Sequence, residues 1–189
     1  MFYTLHRILK VSIWMLIALL LVWLYRQREA LEPLWVWYDV YDNGGIQNRE
    51  QLPRIEGKGI NIYDGHTFQL ESSNRYYNVR LTGFASPEPP LSGDELQREL
   101  RRREVLKERV FMKPVSVDIT YSNQNSYLGI VYANGTNLNL LYLTNDLSRF
   151  KPEFVKSTPR DVQYRFFSAV RWHKKQAHEK GAEVALHSE

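Results

Sequence analysis

The chain contains no cysteine. That absence excludes a disulfide framework, a cysteine-ligated zinc or iron–sulfur centre and any thiol nucleophile. It leaves the redox compartment open. Excess charge of one sign is also small: 25 Lys and Arg stand against 21 Asp and Glu, a formal +4. So small an excess does not by itself argue for nucleic acid. Internal repeats and low-complexity tracts are absent, which sets aside solenoids and linker-like chains. What remains is ordinary for a globular protein, with 43% hydrophobic and 24% charged residues. A length of 189 residues suits one compact domain plus an accessory segment.

Long apolar runs are scarce, with one exception. Val11 to Tyr25 reads VSIWMLIALLLVWLY, without a charge. Ile8 and Leu9 extend it, so that residues 8–25 would sit in a bilayer while Lys10 snorkels its amine outward. Trp14 and Trp23 lie toward the two ends, where amphipathic rings favour the headgroup zone. A cleaved signal peptide would need small residues next, but Arg26-Gln27-Arg28-Glu29 follows. A core helix apolar on every face suits a larger protein. The reading is therefore an uncleaved, single-pass membrane anchor over residues 1–30, with the soluble domain on its C-terminal side. Arg7, Lys10 and the terminal amine on the leading side, against Arg26 and Arg28, marginally favour a cytoplasmic N-terminus.

Residues 31–56 form an aromatic juxtamembrane segment and linker. Trp35, Trp37, Tyr38 and Tyr41 make either an interfacial belt or a strand or loop packed on the domain. Asp42-Asn43-Gly44-Gly45 is a turn signal.

Over residues 57–181 the spacing predicts strands, a helix, strands and then helices. Gly59–Tyr63 and Thr67–Glu71 flank the turn dipeptide Asp64-Gly65, and Ser72-Ser73-Asn74 is a second turn. Arg75 to Phe84 alternates, with Tyr77, Val79 and Leu81 on one face. Asp94 to Phe111 is helical, with Leu96, Leu100, Leu106 and Val110 as its apolar stripe. Its basic run, Arg98, Arg101, Arg102, Arg103, Lys107 and Arg109, is interleaved with Glu95, Glu99, Glu104 and Glu108. Glu99 and Arg103 make a favourable i,i+4 pair. The interleaving favours a solvated face; a phosphate-binding face is the alternative. Val115–Tyr121 and Tyr127–Ala133 are strands, the second ended by Asn134-Gly135. A short helix covers Leu138 to Leu147. An amphipathic helix from about Asp161 to Lys180 carries Val162, Phe166, Val170 and His173 on one face and stops at Gly181; 182–189 is a tail.

Three segments carry a resemblance. They are Ile62-Tyr63-Asp64-Gly65-His66-Thr67-Phe68-Gln69-Leu70, Val79-Arg80-Leu81-Thr82-Gly83-Phe84-Ala85-Ser86-Pro87-Glu88, and Tyr127 to Gly135 followed by Asn139-Leu140-Leu141. In order and spacing the chain resembles the staphylococcal nuclease (thermonuclease-like) family. The resemblance implies an α+β fold, a five-stranded OB-fold barrel with packed helices. It also implies metal-assisted phosphodiester hydrolysis, with calcium held by carboxylates, two arginines neutralising the phosphorus and a glutamate positioning water. Asp64 matches the first Asp of the family's turn, at the edge of the metal site. Arg80 matches the first arginine and Glu88 the glutamate. His66 and Ala85 stand where metal-binding aspartates belong. Ser126 falls on the second arginine, with Asn125 before it.

Calcium affinity is set by charged oxygen ligands, and a methyl and an imidazole supply none. The expectation is a degenerate nuclease-like module without a cofactor, Ca²⁺ entering only if activity is retained. Arg80 and Glu88 then form a structural ion pair. His66 could ligate a transition metal, but no second ligand stands at an obvious spacing. The partner is a protein or single-stranded nucleic acid, the latter stacking on Tyr76, Tyr121, Tyr127 or Tyr132. The alternatives are a working metal-dependent nuclease with a non-standard site, carried by Arg80 and Glu88, and a membrane-organising protein acting through its anchor and Trp35 to Tyr41.

Overall fold

A computed structural model describes residues 2–27, 30–44, 52–85, 91, 93–124, 126–156 and 158–186, with the side chains of 2–11 and 179–186 outside the description. The chain divides into two compact units, Met1–Tyr38 and Asp39–Glu189.

The first unit holds helix α1 (Phe2–Arg26) and most of α2 (Glu32–Asp42). From Ser12 onward the large apolar side chains of α1 face outward, Trp14, Leu16, Leu20 and Trp23 among them. Among the described residues no helix is long and apolar enough to cross a membrane. The spanning helix expected from the sequence is thus not established by this structure. The segment from Glu32 to Tyr41 is neither strand nor loop. Pro33 sits in the first turn, where a missing N–H is harmless, and Val36 and Val40 recur at i,i+4 as the buried pair. Trp35, Trp37, Tyr38 and Tyr41 are all exposed.

In the second unit, Asn43-Gly44 forms the turn that closes α2. Gly44 takes φ 72°, and its N–H donates to the Tyr41 carbonyl. The Asn43 side-chain amide donates to the Pro152 carbonyl at 3.1 Å and to Gln163 Oε1 at 2.9 Å. Arg171 donates twice to Asp39 Oδ2, at 2.9 and 2.7 Å.

The remaining elements are β1 (Arg54–Ile62), β2 (Thr67–Ser72), β3 (Arg75–Leu81), α3 (Gly93–Val110), β4 (Pro114–Ser122), β5 (Tyr127–Ala133), β6 (Thr136–Asn137), α4 (Leu138–Thr144), a 3₁₀ turn at Pro152–Val155 and α5 (Arg160–Leu186). The sheet runs β3-β2-β1-β4-β5-β6, and a parallel β3–β5 pairing closes it. The result is a closed five-stranded mixed barrel in an α+β fold, consistent with the OB-type barrel the resemblance implies. Two of the three expected hairpin turns, Ser73-Asn74 and Asn134-Gly135, form with positive φ at their central residues, as tight hairpins require. Register shifts at Gly59/Asn61 and Ile119/Tyr121 bend β1 and β4 around the barrel. Phe68, Leu70, Val79, Leu81, Val117 and Ile130 fill the interior. The helix α5 continues through Gly181 to Leu186. A glycine costs a helix about 1 kcal/mol but does not by itself end one.

Helix α3 corrects the sequence reading most. Its buried face is Glu99, Arg102, Leu106 and Val110, whereas Leu96 and Leu100 are 40% and 47% exposed. The basic run is therefore not uniformly a solvated face, because two charged residues turn inward.

Candidate functional site

The hairpin between β1 and β2 is locked by its own side chains. Asp64 Oδ1 accepts from the His66 N–H at 2.7 Å, the Asx-type bond that favours Asp at such turns. The Gly65 N–H donates to Glu99 Oε1 at 2.5 Å. Here α3 presses directly on the turn: a Cβ on residue 65 would lie 2.5 Å from Arg102 Cβ and 3.0 Å from both Glu99 carboxylate oxygens.

Glu99 is held in turn by Arg102, whose Nε donates to Glu99 Oε2 at 3.0 Å. The same guanidinium donates to Glu95 Oε1 at 2.7 Å and to the Leu147 carbonyl at 3.1 Å. Tyr142 Oη donates to the Arg102 carbonyl at 2.9 Å. Burial and the Glu99 charge push the Tyr142 phenol well above its ordinary value, so it remains a donor. Glu99 thus pairs with Arg102 at i,i+3, not with Arg103, which reaches the Ile62 carbonyl.

His66 is only 2% exposed. Its ring lies 5.5 Å from Phe84 and 5.9 Å from Tyr142, and Nε2 shares a hydrogen bond with Ser148 Oγ. Burial, and then the Arg102 charge, lower its pKa to about 4, so the ring is neutral at pH 7. Nδ1 has no partner among the described residues. The Ser148–His66 pair is therefore a poor nucleophile–base dyad. Among the described residues no carboxylate orients Nδ1, and a base this weak accepts the hydroxyl proton reluctantly.

The residues carried over from the resemblance divide between two pockets. His66 and Ala85 line a cleft of about 340 Å³ with Arg98, Ser148, Arg149 and Lys151. Arg80 and Ser126 line a separate pocket of about 330 Å³ with Asn78, Tyr121 and Phe154. In that second pocket Arg80 Nη2 donates to the Phe84 carbonyl at 3.4 Å, and burial lowers its pKa from the ordinary guanidinium value. Glu88 and Asn125 lie outside the described residues, so the expected Arg80–Glu88 pair does too. Among the described residues no group of three or more His, Cys, Asp or Glu could hold a metal ion.

Of the four stacking candidates, Tyr121 lines the Arg80 pocket and is 53% exposed. Tyr76 is exposed on β3, Tyr127 packs edge-on to Tyr77, and Tyr132 lies beneath the Arg54 guanidinium.

Sequence reasoning missed the Glu99–Arg102 network and Ser148. A signal for the first existed. Stepping back from Val110 and Leu106 by helical spacing reaches Arg102 and then Glu99, so the buried face could be traced through charged residues. Ser148 carried none, since its partner lies 82 positions away. No protein-family model matches the chain, and no curated protein does.

Proposed function

We propose that this protein is a membrane-anchored, thermonuclease-like module of OB type that binds a partner at the barrel mouth without cleaving it. The observation that carries the reading is what stands at the two metal-ligand positions. Arg80 faces Asn78, Tyr121 and Ser126 in one pocket, while the two residues at the metal-ligand positions, His66 and Ala85, line another. His66 is already engaged by Ser148, and Ala85 offers a methyl. A metal that polarises a phosphodiester must touch the oxygen that the arginine also neutralises. What is left at Arg80 is a cation beside an exposed aromatic ring, a pairing that suits the backbone and a base of single-stranded nucleic acid.

The anchor reading rests on the apolar exterior of α1. A 25-residue helix rises ~37 Å, and an outward face of Trp14, Leu16, Leu20 and Trp23 is unfavourable in water. Alkaline carbonate extraction should leave the full chain in the pellet; release into the supernatant would refute the anchor. For the mouth, single-stranded DNA and RNA are titrated at several salt concentrations and assayed for cleavage with Ca²⁺, Mg²⁺, Mn²⁺ and Zn²⁺. Salt-dependent binding that Arg80→Ala and Tyr121→Ala weaken, without cleavage, supports the reading. Cleavage lost in both Arg80→Ala and Glu88→Ala would replace it with a working nuclease.

A further inference from the structure

Helices α1 and α2 differ in how their apolar surface is laid out. From Ile13 to Val22 every large apolar side chain of α1 is exposed, so that stretch is apolar on all sides. Helix α2 is apolar on one exposed side only. Leu34, Tyr38 and Tyr41 recur at helical spacing with Trp35 at their margin, and the four are 53–73% exposed. The other side of the helix is occupied. Val36 and Val40 are buried, and Asp39 accepts from Arg171. Asn43, just past the helix, donates to Pro152 and Gln163. Rolling α2 to bury its aromatic side would break these contacts.

We propose that α2 lies flat in the headgroup layer of a zwitterionic bilayer, with Leu34, Trp35, Tyr38 and Tyr41 turned toward the hydrocarbon. The inference rests on the anchor reading of α1 and assigns the helix that follows it. Only residues 27–31 separate the two helices. Fully extended, that connection would span at most ~20 Å. It is not extended: the N–H groups of Gln27, Leu31 and Trp35 donate to the carbonyls of Trp23, Gln27 and Leu31. These bonds keep helical spacing through the connection, so α2 begins close to where α1 ends. The headgroup layer is ~5–7 Å deep on each side of the hydrocarbon. Trp and Tyr suit this layer, because each ring is apolar at one end and hydrogen-bonding at the other. Tyr41 decides the attitude of the helix. It lies ~10 Å beyond Leu34 along the axis and is the most exposed of the four. Upright, α2 would lift Tyr41 through the layer into water; lying flat, it keeps the whole row at one depth. Asp42 shares this side at the last position of the helix, where its carboxylate reaches water. Charge decides the lipid. Helix α2 carries Glu32, Asp39 and Asp42 and neither lysine nor arginine, so an anionic surface would repel it.

The chain has no cysteine, so a nitroxide goes only where a cysteine is placed. Leu34→Cys, Tyr38→Cys, Tyr41→Cys and, at an exposed position of α3, Arg101→Cys are labelled singly in the full chain and reconstituted in phosphatidylcholine vesicles. Collisions with oxygen, relative to a water-soluble nickel chelate, should be several-fold more frequent at the three α2 positions than at Arg101, and alike among the three. Trp35→Ser with Tyr38→Ser should abolish that excess in the Leu34→Cys chain. Replacing half the lipid by phosphatidylserine should not raise it. A chain that fails to float with the vesicles overturns the anchor and this inference together. A chain that floats with water-exposed α2 labels overturns the inference and leaves the anchor standing. A ratio that falls from Leu34 to Tyr41 means an upright helix. A ratio unmoved by the serine pair, or raised by phosphatidylserine, means that other forces seat the helix. Spin–spin broadening between copies would put a second copy of the chain on this face. Each of these last results overturns the proposal.

Discussion

Replacing His66 by Gln should change how the fold responds to acid. In the folded chain the imidazole has a pKa of about 4, against an ordinary value of 6.5. The unfolded chain therefore takes up a proton first as the pH falls. Stability contributed by the neutral buried ring is complete above pH 6.5 and drains away as the pH drops toward 4. Each unit of separation is worth about 1.4 kcal/mol, so the wild type should lose about 3 kcal/mol relative to the variant across that window. A domain of this size has a total stability of roughly 5–15 kcal/mol, so the loss is readily measured. Arg102 and Arg80 depress the pKa, while Asp64 and Glu95 partly offset them. Those groups remain in the variant, so the difference between the two curves isolates the histidine. Glutamine keeps a polar group within reach of Ser148. Urea titrations followed by circular dichroism at pH 7.5, 6, 5 and 4 give both curves. If they run parallel, or the wild type gains on the variant under acid, His66 is not held neutral by burial and the account of the turn is wrong.

Arg102→Ala should destabilise the domain by about 3–5 kcal/mol, because Glu99 is left buried and charged without its partner; thermal denaturation measures it, and Arg101→Ala, on an exposed residue of the same helix, should be near neutral. Asn139→Ala should cost about 2–4 kcal/mol, since the fully buried side chain accepts from the Val131 N–H and donates to the Thr82 and Gly129 carbonyls. Urea midpoints check this, and Asn139→Asp should not rescue it. Gly65→Ala should lower the melting temperature by several degrees, because the new methyl meets Arg102 and the Glu99 carboxylate; a neutral result would mean that α3 moves freely over the turn.

The barrel was legible because its strands and turns are written locally. Asn134-Gly135 and Ser73-Asn74 bound alternating segments, and Tyr77, Val79 and Leu81 share one face, as their alternation requires. Helix α3 was legible as a helix but not in its orientation. Leu96 and Leu100 suggest an inward stripe, yet the turn at Gly65 needs a carboxylate opposite its free N–H, and that requirement rotates Glu99 and Arg102 inward. The helical form of the segment at Trp35 was hidden for a related reason: aromatics dominate its composition, while the buried Val36 and Val40 set its period. The candidate site was legible at Asp64, His66, Arg80 and Ala85 as residues, but their division between two pockets was not. It depends on Ser148, Arg149 and Lys151, which reach the cleft only after the whole barrel has intervened.

The closing seam of the barrel has a consequence for synthesis. The strands β3 and β5 meet through three residue pairs, Val79 with Tyr127, Arg80 with Leu128 and Leu81 with Gly129. Beyond Leu81 the Thr82 N–H still donates to the Gly129 carbonyl, and the Asn139 side chain then accepts from the Val131 N–H and donates to the Thr82 and Gly129 carbonyls. Pairing so distant in sequence forms late. A nascent chain that has emerged only as far as β5 has every strand of the barrel but not the amide that bolts it shut. Until residue 139 clears the ribosome, the seam presents unpaired backbone groups to its surroundings. In that interval the protein is most open to a chaperone or to mispairing with a neighbouring chain.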